Sequence, residues 1–359
     1  MQQIEKKTSF RIESLDILRG FTIAGMILVN NPGNWQNTWP ILKHAEWDGL
    51  SLADLVFPFF LVVMGVSTAL SIVNSLENGQ SKSEILQKAI FRTIKMFGIG
   101  MFLNLLWDHN LEIFRIPGVL QRIAITYLFC VLTLLYFKPA IWMAYLVFST
   151  LLAITLLKWF PPEAGPSWYG LVDQFFFGNH VYQPTAPMDA EGFMSGLTAF
   201  QSGLFGMVAG VGLLAGGRIN LWNQAISIFL LGLLFHFYIL PINKTLWTPS
   251  FALVTSGMAL LLLQIFLVLE QNPVFQTIAE PFRRVGKNAI LIYASAEILE
   301  HIWIGHWFKS FAPRNIFREF MDNVSPFLYV NSLLWSLVLV SFFVGIGWIL
   351  YQKKIFVRL

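Results

Sequence analysis

Residues 52–75 read LADLVFPFFLVVMGVSTALSIVNS, and in that run of 24 positions Asp54 is the one charged side chain. A helix needs roughly 20 apolar residues to cross the hydrocarbon of a bilayer, so the stretch reads as a membrane span. Nine further blocks share its length and character, at about 14–33, 85–106, 117–137, 139–159, 193–216, 220–240, 247–270, 285–305 and 327–351. Turn-forming residues divide many of them: Asn30-Asn31-Pro32-Gly33, Glu77-Asn78-Gly79, Pro161-Pro162, Gly216-Gly217 and Gln271-Asn272-Pro273. Alternation of apolar and polar residues over ten-residue segments is absent, which speaks against an outer-membrane barrel. The expected architecture is an all-α polytopic membrane protein, a bundle of about ten transmembrane helices forming a single domain over 1–359.

Composition agrees. Only 12% of the 359 residues are charged and 56% are hydrophobic, against about 25% charged in a typical soluble chain. So few charges cannot clothe a water-facing surface. The net charge of +4 reads, in such a chain, as surplus Lys and Arg on cytoplasmic loops rather than a footprint for nucleic acid. The lone Cys130 lies in an apolar stretch, which leaves no intramolecular disulfide and no Cys-based metal site.

Orientation follows from the basic residues. With both termini cytoplasmic, fourteen Lys and Arg fall on the inner side, among them Lys6, Lys7, Arg11, Lys82, Lys88, Arg92, Arg218, Arg283, Arg284, Lys287 and Arg358. Seven fall on the outer side, including Lys43, Arg115, Lys244 and Lys309, and Arg19, Lys95 and Arg122 lie within spans. That two-to-one bias supports the assignment. The outer loops are then about 34–51 and 160–192, and the second carries Glu163, Asp173, Asp189 and Glu191 without a Lys or Arg. The first span is not a cleavable signal peptide, because Asp16 and Arg19 interrupt its start and no small-residue cleavage site follows. No internal repeat is visible, which disfavours transporter folds built from repeated halves.

Ionisable groups inside spans are costly and mark candidate sites. Asp16 and Arg19 are one helical turn apart and can pair. Arg92 and Lys95 either snorkel to the cytoplasmic boundary or join Arg19 in a cationic cluster. Arg122, preceded by Gln121, lies near the outer start of the fourth span. Glu297, Glu300 and His301 fall at helical spacing near the outer end of the ninth, too few for a metal site, so no metal is expected. The most informative stretch is Asn30 to Phe60. Ser51-Leu52-Ala53-Asp54 reads as a capping box opening the second span. His44, just upstream, is a residue type that exchanges its proton near neutral pH. Trp35, Trp39 and Trp47 surround it as interfacial aromatics.

Ser14-Leu15-Asp16-Ile17-Leu18-Arg19-Gly20, Val29-Asn30, Lys43-His44-Ala45-Glu46-Trp47-Asp48-Gly49-Leu50 and Ala53-Asp54-Leu55-Val56-Phe57-Pro58-Phe59-Phe60 occur in that order. Arg115-Ile116-Pro117-Gly118-Val119-Leu120-Gln121-Arg122, Asp189-Ala190-Glu191-Gly192, Pro241-Ile242-Asn243-Lys244 and Leu246-Trp247 follow. The set closely resembles the heparan-α-glucosaminide N-acetyltransferase family and its bacterial relatives, over nearly the whole chain. Lysosomal members carry an added N-terminal luminal domain and span; the resemblance implies the shorter bacterial arrangement, in an inner membrane and as a homodimer.

The resemblance implies a transmembrane acetyltransferase that takes an acetyl group from cytoplasmic acetyl-CoA to the amine of a glucosamine unit across the membrane. The family's active-site histidine, in its His-Ala-x-Trp-x-Gly-Leu motif, falls on His44, and its nearby asparagine on Asn30. Asp48 stands where the lysosomal form has Asn. A histidine can take the proton of an amino sugar, or take the acetyl group itself; Asn30 can donate to the oxyanion. Asp54 either fixes the imidazole or serves the capping box. For the phosphates of acetyl-CoA the candidates are Arg19, Arg92, Lys95 and Lys287 with Asn288. Arg122, on the outer side, is a further candidate for the cofactor through its pantetheine, or for the sugar. Asp48, Asp189, Glu191, Asn243 and Lys244 are the candidates for the amino sugar. The rival from another class is an N-acetylglucosamine permease, which should place its polar groups near mid-bilayer on interrupted helices. A non-catalytic scaffold is a third reading and leaves Asn30, His44 and Asp54 without a purpose.

Overall fold

The apolar blocks fold as helices in a computed structural model that describes residues 12–108, 112, 114–162, 167–182, 188–216, 220–304 and 313–357. The charges Lys6, Lys7, Arg11, Glu163, Arg218, Lys309 and Arg358, used above for orientation, lie outside the described residues. Among the described residues seven helices are long and apolar enough to cross a membrane: α2 (Leu52–Glu77), α3 (Lys82–Asp108), α4 (Val119–Tyr136), α5 (Pro139–Trp159), α7 (Phe193–Gly216), α9 (Pro249–Leu269) and α13 (Leu328–Gln352). The other three expected blocks are helical but weaker as spans. α1 (Glu13–Asn30) carries Glu13, Asp16 and Arg19 in 18 residues, while α8 (Trp222–Tyr238) and α11 (Ala289–Ile304) reach 17 and 16 residues.

Three further helices fall between the blocks: α6 (Trp168–Phe177), α10 (Pro273–Gly286) and α12 (Pro313–Val324). α10 begins where the joint Gln271-Asn272-Pro273 was read, because Asn272 is an N-cap. Its side-chain oxygen accepts from Val274 N at 2.9 Å and Phe275 N at 3.3 Å, with Pro273 at the first helical position. Among the described residues there is no strand, only an isolated bridge between Asp48 and Asn243.

The connections sort to two ends of the bundle. At one end Gly33 N donates to Ser332 O, Ile116 N to His180 O and Gly49 N to Ile242 O. At the other, Arg283 meets Glu13 at 2.7 Å, Ser14 donates to Glu270, and Arg284 lies over the Tyr351 ring. The start of α1 and the end of α13 therefore share one end, and the His44 loop occupies the opposite one.

The centre is set by close helix approach. α2 and α7 pack with Gly65 against Gly203 and Gly206 against Val62, so near that a methyl group on either Gly65 or Gly206 would overlap a backbone carbonyl across the interface. Small residues that let backbones touch are the usual device where helices cannot gain from leaving water. Leu18, Val62, Val66, Ala209, Leu213, Leu260 and Leu263 fill the space between α1, α2, α7 and α9. Outward, α5, α8 and α13 present Phe148, Leu151, Leu234, Phe237, Val338 and Phe342, an apolar perimeter of the kind hydrocarbon covers.

Candidate functional site

The Ser51 capping box and the His44 loop meet at one carboxylate. Asp54, fully buried at the third position of α2, uses its two oxygens for two tasks. Oδ2 accepts from Ser51 N at 3.1 Å, Ser51 Oγ at 2.9 Å and Ala45 N at 3.1 Å, which caps the helix and pins the loop. Oδ1 lies 2.8 Å from His44 Nδ1. A carboxylate only accepts, so Nδ1 carries the proton and Nε2 keeps its lone pair. The two roles read from the sequence as alternatives are thus compatible geometries of a single side chain. His44 remains 46% exposed while Asp54 is sealed, so the imidazole is anchored at one edge and reachable at the other.

A second loop closes on the first. Gly49, at a φ of +126° that favours glycine, donates its N–H to Ile242 O at 2.8 Å. Asn243 Nδ2 donates to Asp48 Oδ1 at 3.0 Å, while Asn243 Oδ1 accepts from Leu246 N at 2.9 Å. Asp48 and Asn243 therefore join the two loops. The same segment delivers Lys244, whose Nζ stands 3.0 and 3.3 Å from the His44 ring nitrogens and 3.5 Å from Asp54 Oδ1. Burial pushes the Lys244 ammonium below the usual lysine range, against the opposing pull of Asp54 and Glu191.

A third loop completes the rim. Arg115 pairs with Asp189, through Nε at 2.9 Å and through Nη2, and with Glu191, and it lies 5.0 Å from the centre of the Tyr182 ring. Burial opposes the Arg115 charge, but Glu191 and Asp189 outweigh it and hold the guanidinium protonated. Burial would likewise raise the Glu191 carboxyl, yet Arg115, Arg122 and Lys244 draw it below the ordinary range. Arg122, buried on α4, donates to Ala190 O at 3.0 Å, Gly192 O at 2.8 Å and Ser195 Oγ at 2.6 Å and lies 5.3 Å from the Trp247 ring centre. These contacts clamp the loop 189–192 from beneath. Asp173 on α6 takes Asp189 N at 3.2 Å and Phe193 N at 2.6 Å. Burial raises the Asp173 carboxyl to about 6, with those two N–H groups working the other way.

His44, Asn30, Lys244, Arg115 and Glu191 line a cavity of about 440 Å³ that runs down between α1, α2, α3, α4 and α11, within the roughly 300–1,000 Å³ of small-molecule sites. Its floor reaches Thr22 and Ile290. Thr22 lies eight residues before Asn30 on α1, about 12 Å along the axis. The walls are apolar, with Val56, Phe57, Phe60 and Ile123, and carry Trp107, Tyr293 and Glu297. Asn30 hydrogen-bonds Glu297 across the gap between α1 and α11.

Other expected residues sit elsewhere. Arg19 pairs with Asp16 at 3.0 Å and with Ser67 Oγ, one turn beyond Thr22. Arg92 lies 4.9 Å from the Tyr127 ring centre and Lys287 4.5 Å from that of Tyr351. Asn288 Nδ2 donates to Ile355 O at 3.0 Å and its Oδ1 accepts from Val357 N at 2.9 Å. None of these, nor Lys95, is among the cavity's lining residues. Two residues that do line it escaped the sequence reading. In the sequence Arg115 stands as an outer charge at the head of the block 115–122, and Glu297 as one of three ionisable groups in the ninth span, neither with a role in this site. That block was the available signal for Arg115, whereas Glu297 adjoins none of the quoted blocks.

Fold and site together define a helical membrane protein with a carboxylate-held histidine at the mouth of a buried cavity. A family model described as "Heparan-alpha-glucosaminide N-acetyltransferase, catalytic" matches residues 11–189. The mouse protein of that name (Mus musculus) is 28% identical over 99% of this chain and 61% of its own length. The human one (Homo sapiens) is 29% identical over 96% of this chain and 59% of its own length. The resemblance read from the motifs is borne out: the chain is similar to the heparan-α-glucosaminide N-acetyltransferases over nearly its whole length, and it spans about 60% of the length of these two.

Proposed function

We propose that the chain is a transmembrane N-acetyltransferase of a bacterial inner membrane, a homodimer of ten-span subunits with cytoplasmic termini. It moves an acetyl group from cytoplasmic acetyl-CoA to the amine of glucosamine or of a glucosamine-terminated glycan on the far side. The observation that carries this reading is His44, held through Nδ1 by a buried carboxylate and facing the cavity, in a motif that resembles the family's.

The chemistry uses the residues in their observed places. His44 Nε2 takes a proton from the substrate's ammonium, and the freed amine adds to the thioester carbonyl carbon. The carbon–sulfur bond then breaks, the leaving thiolate takes the proton from the imidazolium, and the nitrogen's remaining extra proton passes through the freed imidazole to solvent. In the other order, the imidazole takes the acetyl group first with release of the CoA thiol, and the amine attacks the acetyl-imidazole. Asp54 stabilises the imidazolium in either order. Asn30 has a second Nδ2 hydrogen to offer the oxyanion. Arg19, Arg92, Lys95 and Lys287, with Asn288, stand at or toward the opposite end, where the phosphates would enter, and Arg122 fixes the loop against which the acyl arm ends. Asp48 and Asn243 hold the substrate side of the rim, Asp189 and Glu191 orient Arg115, and Lys244 borders the place where the amine approaches Nε2.

Labelled acetyl-CoA and glucosamine with the purified protein in detergent provide the test. Acetylation is expected with the wild type and falls by roughly 10²–10⁴ in His44→Ala. Equal transfer by both proteins removes His44 from the mechanism.

A further inference from the structure

Carboxylates around the cavity are almost all engaged. Asp54 holds His44, Ala45, Ser51 and Lys244. Asp189 and Glu191 are taken by Arg115, and Asp48 by Asn243. Glu297 differs. It lines the cavity from α11, its partner is the neutral carboxamide of Asn30, and among the described residues no Lys or Arg pairs with it. As a carboxylate Glu297 accepts hydrogen bonds only, and Asn30 then turns Nδ2 toward it. An acid placed among Met26, Val29, Phe60 and Tyr293 costs free energy unless a cation meets it. The described residues supply none, and the open side is the cavity.

We infer that Glu297 is the ammonium subsite of the acceptor: it ion-pairs the protonated amine of an amino sugar and holds it beside Asn30, in the same cavity onto which His44 opens. Trp107 and Tyr293, on the same lining, give the sugar ring aromatic surface. The subsite makes the protein selective for amines over neutral sugars, since a hydroxyl would leave the carboxylate buried and uncompensated. The inference deepens the acetyltransfer reading and rests on it for the identity of the acceptor, but binding of the amine is measurable without any transfer.

Calorimetric titration of glucosamine, with glucose as the uncharged control, is run without acetyl-CoA on wild type, Glu297→Gln and Glu297→Asp. Gln keeps an acceptor for Asn30 and removes the charge. Glucosamine binding is expected to weaken about tenfold or more in Glu297→Gln, with Glu297→Asp closer to wild type and glucose binding unchanged. Thermal midpoints report whether each variant is folded; if Glu297→Gln is not, a drop in amine affinity in folded Glu297→Asp carries the test. Equal glucosamine affinity in wild type and the folded variants overturns the subsite. If the wild type acetylates glucosamine meanwhile, the acetyltransfer reading survives that loss. Conversely, amine binding that depends on Glu297 in a protein that never transfers acetyl keeps the subsite and removes the reaction.

Discussion

Asp54 shows how one side chain can hold a helix start and an imidazole at once. Its Oδ2 holds the start of α2 and the Ala45 amide, and its Oδ1 holds the imidazole. The two tasks are separable by substitution. Ser51→Ala removes one cap donor and should cost roughly 1 kcal/mol of stability with kcat close to wild type. Asp54→Asn keeps the volume but presents a wrong donor or a neutral acceptor to Nδ1, and kcat should drop by roughly 10²–10⁴. Parallel thermal melts and steady-state kinetics check both; equal kcat losses in the two variants would make the carboxylate a cap alone. Asp173 makes a different residue-scale prediction. Its carboxyl, raised by burial to about 6, holds its proton more tightly in the folded chain than in the unfolded one, where aspartate titrates near ~3.9. Its contribution to stability is therefore full below about pH 4 and lost as the pH rises through about 6. The difference in thermal midpoint between wild type and Asp173→Asn should change across that window and be flat above it.

Among the elements, α2 is the one on which the site depends, since it carries Asp54 at its cap and lines the cavity through Val56, Phe57 and Phe60. Its place is fixed by Gly65, Gly203 and Gly206 at the α7 contact. Gly206→Val should force the two helices apart and lower stability by about 1–3 kcal/mol or more, read as a fall in thermal midpoint with activity lost in parallel; an unchanged midpoint would show that the contact is not tight. The long helices were legible because a bilayer demands uninterrupted apolar runs. α10 and α12 were not, being short and polar along one face, PVFQTIAEPFRRVG and PRNIFREFMDNV. The Asn272-Pro273 cap was visible, but it was read as a joint rather than a start. α6 lies within the expected outer loop 160–192, too short and isolated to read as a span.

At the scale of the molecule, the loops at one end converge on the cavity although their residues are far apart in sequence. His44, Arg115, Glu191, Lys244 and Glu297 share one lining, and that convergence decides function. The sequence made His44, Asn30 and Asp54 legible through local motifs and resemblance. It could not reveal that Arg115 reaches 74 residues ahead to Asp189, neutralising the acidic loop that was read as free to meet a cationic sugar. Nor could it set the depth of the cavity, which depends on five helices packing around it. The proposed transfer brings an acetyl group to His44 from one side of the membrane and passes it on at the other. Proteoliposomes loaded with labelled acetyl-CoA and bathed in glucosamine test this directly, with orientation of the protein fixed by protease accessibility. Labelled N-acetylglucosamine should appear outside with the wild type and vanish with His44→Ala. Sugar crossing unmodified, at the same rate in both proteins and without acetyl-CoA, would contradict the account and make the chain a carrier.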